Sequence, residues 1–470
     1  MPRHDMSDVI VLLPGIMGSE LARGDKTLWG FKAGTIGSAL FSRGATISKE
    51  LMLHDDPSDP DVNADGITAT RLMPDLHLMP GIWKIDGYGK VAFAIRRDFA
   101  VTNGVNFFEF AYDWRRDNRV NAKRLARAAH GWLAGYRART NPKAKLILVA
   151  HSMGGLVSRY FLEVLDGWKD TRALITFGTP HRGSLNAVDG LANGVSKGPF
   201  GFLDLSALTR SFTSMYQLLP TYECFDDGDG VLRRVAELTD IPNIDVTRAL
   251  DALRFHDEIR DAVTVHESQA AYLQAPYRLH PIVGIGQDTF QSAVKTSSGA
   301  EMLTTHKGRP LKGDGTVPRP SASPLDETRQ DRETYAATQH GSLQNDDGML
   351  LQLLGLITGL TIDLGEFRDA GDRALALEVE DLYLDDEPVL VRVRLQGAKP
   401  GVVPTMEIRA PDGATIAVRL TEQREGWFVG EVPSLPEGIY RVQASAAQLP
   451  MAEDSFVVAS TVADDDGVKA

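Results

Sequence analysis

Residues 146–161 read LILVAHSMGGLVSRYF. The first half is an apolar run of strand length, and the second has apolar residues at helical spacing. Between them stands Ser152, preceded by His151 and followed by Met153, Gly154 and Gly155. A strand that turns at once into a helix needs a sharp bend with small neighbours. A serine at its tip is lifted clear of the sheet at a helix N-terminus, where the dipole favours developing negative charge. Ala150-His151-Ser152-Met153-Gly154 is this nucleophile elbow, with alanine in place of the usual first glycine.

The surroundings fit an α/β chain. DVIVLLPG, ending at Pro14-Gly15, reads as a buried parallel strand, VNFFEFAYDW (105–114) as a second, AKLILVA (144–150), ALITFGTP (173–180) and HPIVGIG (280–286) as three more. KRLARAAHGWLAGYRAR (123–139) has Leu125, Ala128, Ala129, Trp132, Leu133 and Tyr136 on one helical face. Two long excursions, about 29–87 and 183–277, interrupt the alternation and are expected to be lid or cap insertions, with helical character. The α/β-hydrolase domain is therefore assigned to residues 1–368. From 372 to 460 the chain alternates apolar and polar residues between frequent turns, including the hairpin signal PDGA. About seven short strands there predict an immunoglobulin-like β-sandwich, followed by an acidic tail at 461–470.

A serine hydroxyl needs a base and an orienting acid. In this fold they follow the nucleophile in the order acid, then histidine. His340, in AATQHGSLQNDDG before the apolar helix at 349–362, is the expected base, and Asn345 or Asp346 the expected cap of that helix. Asp314 in KGDGTVPRP is the expected acid, with Asp288 in GQDT as competitor. His151 is expected to aim away from its neighbour Ser152. The backbone N–H groups of Met153 and of Ile16, just past the Pro14-Gly15 break, are the expected oxyanion donors.

Composition sets outer bounds. The 470 residues carry a net charge of −13, which argues against nucleic acid as a partner. One cysteine, Cys224, excludes an intramolecular disulfide and reads as a buried thiol. The first residues do not read as a secretory signal, and no apolar run reaches the ~20 residues of a membrane span, so a cytoplasmic location is expected. No metal or cofactor is expected: zinc spacings, a dinucleotide fingerprint and a phosphate loop do not appear, and the Asp-rich 54–66 stretch lacks the terminal glutamate of a calcium loop.

Taken together, VIVLLPGIMGSEL, FAYDWRRD, AHSMGGLVSRYF, ITFGTPHRGSLNAV, SMYQLLP, GDGTVP and QHGSL, spread over roughly residues 8–345, resemble the lecithin:cholesterol acyltransferase family of α/β-hydrolases. The resemblance implies Ser152, Asp314 and His340 as triad and Ile16 and Met153 as oxyanion donors. It also implies Trp114 and Arg115 on the acyl side of the site, and the excursions as a lid over a lipid-binding cleft. It does not reach the sandwich. The expected activity is cleavage or transfer of lipid acyl esters through an acyl-enzyme. The alternatives are an esterase or thioesterase for small soluble esters, and a non-catalytic binding protein on the same scaffold. The expected partner is a lipid or other acyl-ester substrate, with peripheral membrane contact through the lid allowed and the sandwich's ligand unidentified.

Overall fold

The computed structural model describes residues 3–30, 49–74, 77–79, 83–85, 87–197, 203–274, 277–324, 333–358, 374–396, 401–423, 426–447, 449 and 451–460. Six strands form the central sheet: β1 (Val9–Leu13), β2 (Phe107–Glu109), β3 (Leu146–His151), β4 (Thr171–Phe177), β5 (Arg278–Gly284) and β6 (Thr334–Ala336). Their order is β6-β5-β4-β3-β1-β2, and every pairing is parallel.

Alternation along the strands feeds two cores. Val9, Val11 and Leu13 of β1 and Leu146, Leu148 and Ala150 of β3 face one side. Ile10 and Leu12, with Ile147 and Val149, face the other. Both faces are covered, which is why these strands read as continuous apolar runs. On the first side lie α2 (Asn118–Arg139), α3 (Met153–Glu163) and α4 (Val246–Glu267). On the second lie α1 (Gly89–Asp98) and α5 (Asp347–Thr358).

Helix α2 begins five residues earlier than the apolar face predicts. Asp117 caps it, accepting from the N–H of Arg119 at 2.7 Å. Leu125, Ala129, Leu133 and Tyr136 are buried, and Trp132 stacks on Phe108 with centroids 4.3 Å apart. Helix α5 is capped by Asp346, whose Oδ1 accepts from the N–H of Met349 at 3.0 Å. Asn345 instead accepts from the N–H of Val91 at 3.2 Å.

Strand β2 is shorter than the 105–114 run suggests. Beyond Glu109 the chain leaves the sheet, and Phe110, Tyr112 and Trp114 turn inward. The Phe110 N–H still donates to the Leu12 carbonyl of β1 at 2.9 Å, and beyond it side chains take over: the Tyr112 hydroxyl donates to the Pro14 carbonyl at 2.8 Å.

In the described part of the first excursion, Ile67–Leu72 pairs with Ser19–Arg23, a strand that precedes the excursion. Ser19–Arg23, Lys26–Trp29 and Ile67–Leu72 make a three-stranded antiparallel sheet. The second excursion carries the helices, α4 above all. Glu258 of α4 accepts from the Tyr160 hydroxyl at 2.8 Å and from the Arg119 guanidinium, fastening α4 to α3 and to the start of α2. Leu205 and Leu208 of this excursion are core; Phe200 and Phe202 lie outside the described residues. Cys224 is buried, as the sequence suggests, and burial pushes its thiol pKa up.

The C-terminal region forms two packed sheets. Among the described residues one has four strands (Ala374–Val379, Val389–Gln396, Trp427–Val432, Leu420–Glu422) and the other five (Leu382–Leu384, Ala452–Ala459, Gly438–Ser445, Thr405–Arg409, Thr415–Val418). The two strands beyond the predicted seven are three-residue pieces, too short for a period-2 pattern to reveal. Val389, Val391 and Val393 alternate with outward-facing Leu390, Arg392 and Arg394, as a half-buried strand requires. PDGA forms the expected tight turn between Thr405–Arg409 and Thr415–Val418. The tail at 461–470 lies outside the described residues. The Gln339 amide donates to the Leu377 carbonyl at 2.6 Å, so the sandwich touches the residue before His340. Among the described residues no helix is long and apolar enough to cross a membrane.

Candidate active site

Three loops at the C-terminal ends of the parallel strands converge. The β3–α3 turn places Ser152 with φ 50° and ψ −125°, a strained pair for a residue with a Cβ. Its N–H donates to the Phe177 carbonyl at 2.8 Å, so the neighbouring strand end supports the strain. The small residues beyond it are steric necessities. A Cβ on Gly154 would lie 2.4 Å from the Pro14 carbonyl oxygen, and one on Gly155 2.0 Å from Thr179 Oγ1. That Thr179 hydroxyl donates to the Ser152 carbonyl at 2.9 Å. Gly155→Ala is therefore expected to destabilise the fold by roughly 1–3 kcal/mol, read from a denaturant melt, and to lower activity by pushing Thr179 off the elbow. An unchanged midpoint with full activity would show that the turn relaxes freely.

Ser152 Oγ lies 2.8 Å from His340 Nε2, and His340 Nδ1 lies 2.8 Å from Asp314 Oδ2. All three residues are buried. Nδ1 faces a carboxylate and so carries the proton, which leaves Nε2 to accept from the serine hydroxyl. Asp314 follows β5 and His340 follows β6. The loops are tied together by the His340 N–H donating to the Asp314 carbonyl at 2.9 Å. Asp314 Oδ1 accepts from the N–H groups of Thr316 and Val317, at 2.9 and 2.6 Å, which fixes the carboxylate plane. The competitor Asp288 pairs with Lys312 instead.

The β1 loop supplies the facing wall. The Gly15 carbonyl accepts from the Gly18 N–H at 3.1 Å, closing a turn with Met17 at φ 62°. The Ile16 N–H shares a planar trans peptide with that carbonyl and points the opposite way. Among the described residues it has no hydrogen-bond partner, and neither does the N–H of Met153 at the first position of α3. A Cβ on Gly15 would stand 2.8 Å from Ser152 Cβ, which shows how closely the two loops approach.

Two residues that sequence reasoning overlooked as a pair stand behind the site. The Tyr88 hydroxyl lies 2.9 Å from His151 Nδ1, and His151 Nε2 lies 3.0 Å from the His340 carbonyl oxygen. His151 thus aims away from Ser152, as its place in the chain predicts. Burial, then the neighbouring His340, pushes its pKa well below the usual histidine range, so the ring stays neutral. Nothing in local sequence marks Tyr88, which sits at the end of the first excursion.

Trp114 and Arg115 sit deep in the framework. The resemblance implies an acyl-lining role for them; both side chains are fully buried. Trp114 Nε1 donates to the Ser19 carbonyl at 2.9 Å, and the ring packs edge-on against Trp29 and Phe212. Arg115 pairs with Asp113 at 2.6 Å and Asp65 at 2.8 Å and donates to the Leu51 carbonyl. Through Leu51 and Asp65 the Arg115 guanidinium fastens the first excursion to this segment.

Comparison with known proteins finds a partial family match. Residues 94–305 match the model of the lecithin:cholesterol acyltransferase family. The match spans Ser152 and Met153 and stops short of Ile16, Asp314 and His340, so those three rest on geometry. It supports ester hydrolase or acyltransferase chemistry in general. No curated protein matches. Among solved structures, the lipase BlEst2 of Bacillus licheniformis in its propeptide form is similar at 15% identity over 97% of this chain and 74% of that one, with TM-score 0.36. Its mature form gives 16% identity over 76% and 96%, with TM-score 0.35. The Lin-41 filamin domain gives 15% identity over 18% of this chain and 93% of its own, with TM-score 0.16. Likeness at these scores adds nothing to the assignment of function.

Proposed function

We propose that this lecithin:cholesterol acyltransferase-like chain is a serine ester hydrolase or O-acyltransferase acting on acyl esters of lipids. The observation that carries the reading is the unbroken hydrogen-bonded chain from Asp314 through His340 to Ser152. As Ser152 Oγ attacks the acyl carbonyl carbon, its proton passes to His340 Nε2, and the imidazolium is stabilised by the Asp314 carboxylate. The carbonyl oxygen becomes an oxyanion facing the Ile16 and Met153 N–H groups; losing one such donor costs about 3–4 kcal/mol of barrier. Collapse breaks the bond to the alcohol, which leaves with the proton from His340. The acyl-enzyme is then attacked by water or by a second alcohol, deprotonated by the same imidazole, and Ser152 regains its proton on release.

Lipid as the substrate class rests on the family likeness and on the long excursion that carries α4. The deciding experiment measures kcat/KM on p-nitrophenyl esters of rising chain length and on phospholipid vesicles. Preference for long acyl groups and activity on vesicles are expected. A strict preference for acetyl or butyryl esters would reject lipid in favour of small soluble esters. Adding a long-chain alcohol and following the acylated alcohol separates transfer from hydrolysis.

A further inference from the structure

We infer that Tyr88 and His151 form a buried relay that holds the catalytic histidine in register with the oxyanion loop, an inference that rests on the Ser152–His340–Asp314 reading. Neither touches the reacting atoms, so both are positioning residues.

Donors and acceptors along the relay are unambiguous. His151 Nε2 faces the His340 carbonyl oxygen at 3.0 Å and must donate to it. In the neutral ring Nδ1 is then the acceptor, and the Tyr88 hydroxyl donates to it at 2.9 Å. The hydroxyl oxygen in turn accepts from the Gly15 N–H at 2.7 Å. At the far end the His340 N–H donates to the Asp314 carbonyl at 2.9 Å. Four hydrogen bonds run from the β1 loop to the acid loop, all donating in one direction, an arrangement in which neighbouring bonds strengthen one another.

The consequence is geometric. Gly15 is held at both ends, its N–H by Tyr88 and its carbonyl by Gly18, so the Ile16 N–H has a single orientation. His340 is held on its main chain by His151 and Asp314 and on its ring by Asp314, so Nε2 has one height above Ser152. The relay makes these two settings depend on each other. The rings reinforce it, with centroids of His151 and His340 5.0 Å apart and those of Tyr88 and His151 5.9 Å apart. The absence of a side chain on Gly15 lets the loop come this close, because a Cβ there would lie 3.1 Å from His151 Nδ1.

The test uses the full chain and a long-chain p-nitrophenyl ester, with a fluorophosphonate probe to read Ser152 reactivity. Tyr88→Phe deletes one oxygen, His151→Leu removes both ring contacts, and His151→Gln keeps an amide N–H near the position of Nε2. Tyr88→Phe and His151→Leu are expected to lower kcat roughly 10- to 100-fold, the scale of a small misplacement of catalytic groups, with KM changed less than about threefold. His151→Gln is expected to recover most of the His151→Leu loss. If His151→Leu does not fold by circular dichroism, Tyr88→Phe alone decides. Full kcat in Tyr88→Phe overturns the relay, and so does an equal kcat deficit in the Gln and Leu variants. A wild-type protein that the probe does not label at Ser152 overturns the triad reading and the relay with it; a labelled wild type with unaffected variants overturns the relay alone.

Discussion

Ser152→Ala should reduce turnover of a long-chain ester by at least about 10⁴-fold with little change in melting temperature. The hydroxyl contributes one hydrogen bond, to His340 at 2.8 Å, and that bond is worth only about 1 kcal/mol to the fold. Alanine keeps the Cβ and occupies the same strained backbone, whose support comes from the Phe177 carbonyl and Thr179, not from the hydroxyl. Stability and activity should therefore part company. On the proposed mechanism, what remains without the nucleophile is the Ile16 and Met153 N–H pair, which would polarise a bound ester weakly toward attack by water. Loss of activity accompanied by unfolding would instead assign Ser152 to the framework.

The second large effect is expected for Asp314→Asn, a drop in kcat of about 10⁴-fold, and its cause lies in the fixed plane of the carboxylate. Oδ1 receives the N–H groups of Thr316 and Val317, so the substituted amide must keep its oxygen there. Its NH2 then takes the place of Oδ2, facing His340 Nδ1. The imidazole can accept that donor only by moving its proton to Nε2, where it confronts the Ser152 hydroxyl. The base is present but in the wrong tautomer. Asp314→Ala, which leaves Nδ1 without a dictating partner, should be less harmful per unit of stability lost. A kcat within tenfold of wild type for the Asn variant, from steady-state assays with folding checked by circular dichroism, would remove Asp314 from the mechanism.

How far these groups could be read from sequence depends on how local their constraints are. The elbow was legible because a strand-to-helix reversal leaves little steric choice: Gly154 and Gly155 answer contacts with Pro14 and Thr179, and their type shows it. The parallel strands were legible because both faces of the sheet are covered and the runs are wholly apolar. Asp314 and His340 were nominated by chain order and turn residues alone. Their convergence is a property of the sheet, since both stand on loops past the C-terminal ends of β5 and β6. For Trp114 and Arg115 only the family resemblance suggested a role, and their packing could not be read from the sequence. Burial against Trp29 and pairing with Asp65 come from a distant excursion that no local pattern announces. The relay was illegible for the same reason, as Tyr88 and His151 are 63 residues apart.

The central claim is that Ser152 accepts the acyl group. Its most direct measurement is intact and peptide-level mass spectrometry of protein quenched in acid during turnover of a long-chain p-nitrophenyl ester. The account predicts an added acyl mass confined to the peptide containing Ser152, and absent in Ser152→Ala. Rapid turnover with an unmodified chain, or an acyl group carried by any other residue, would contradict it.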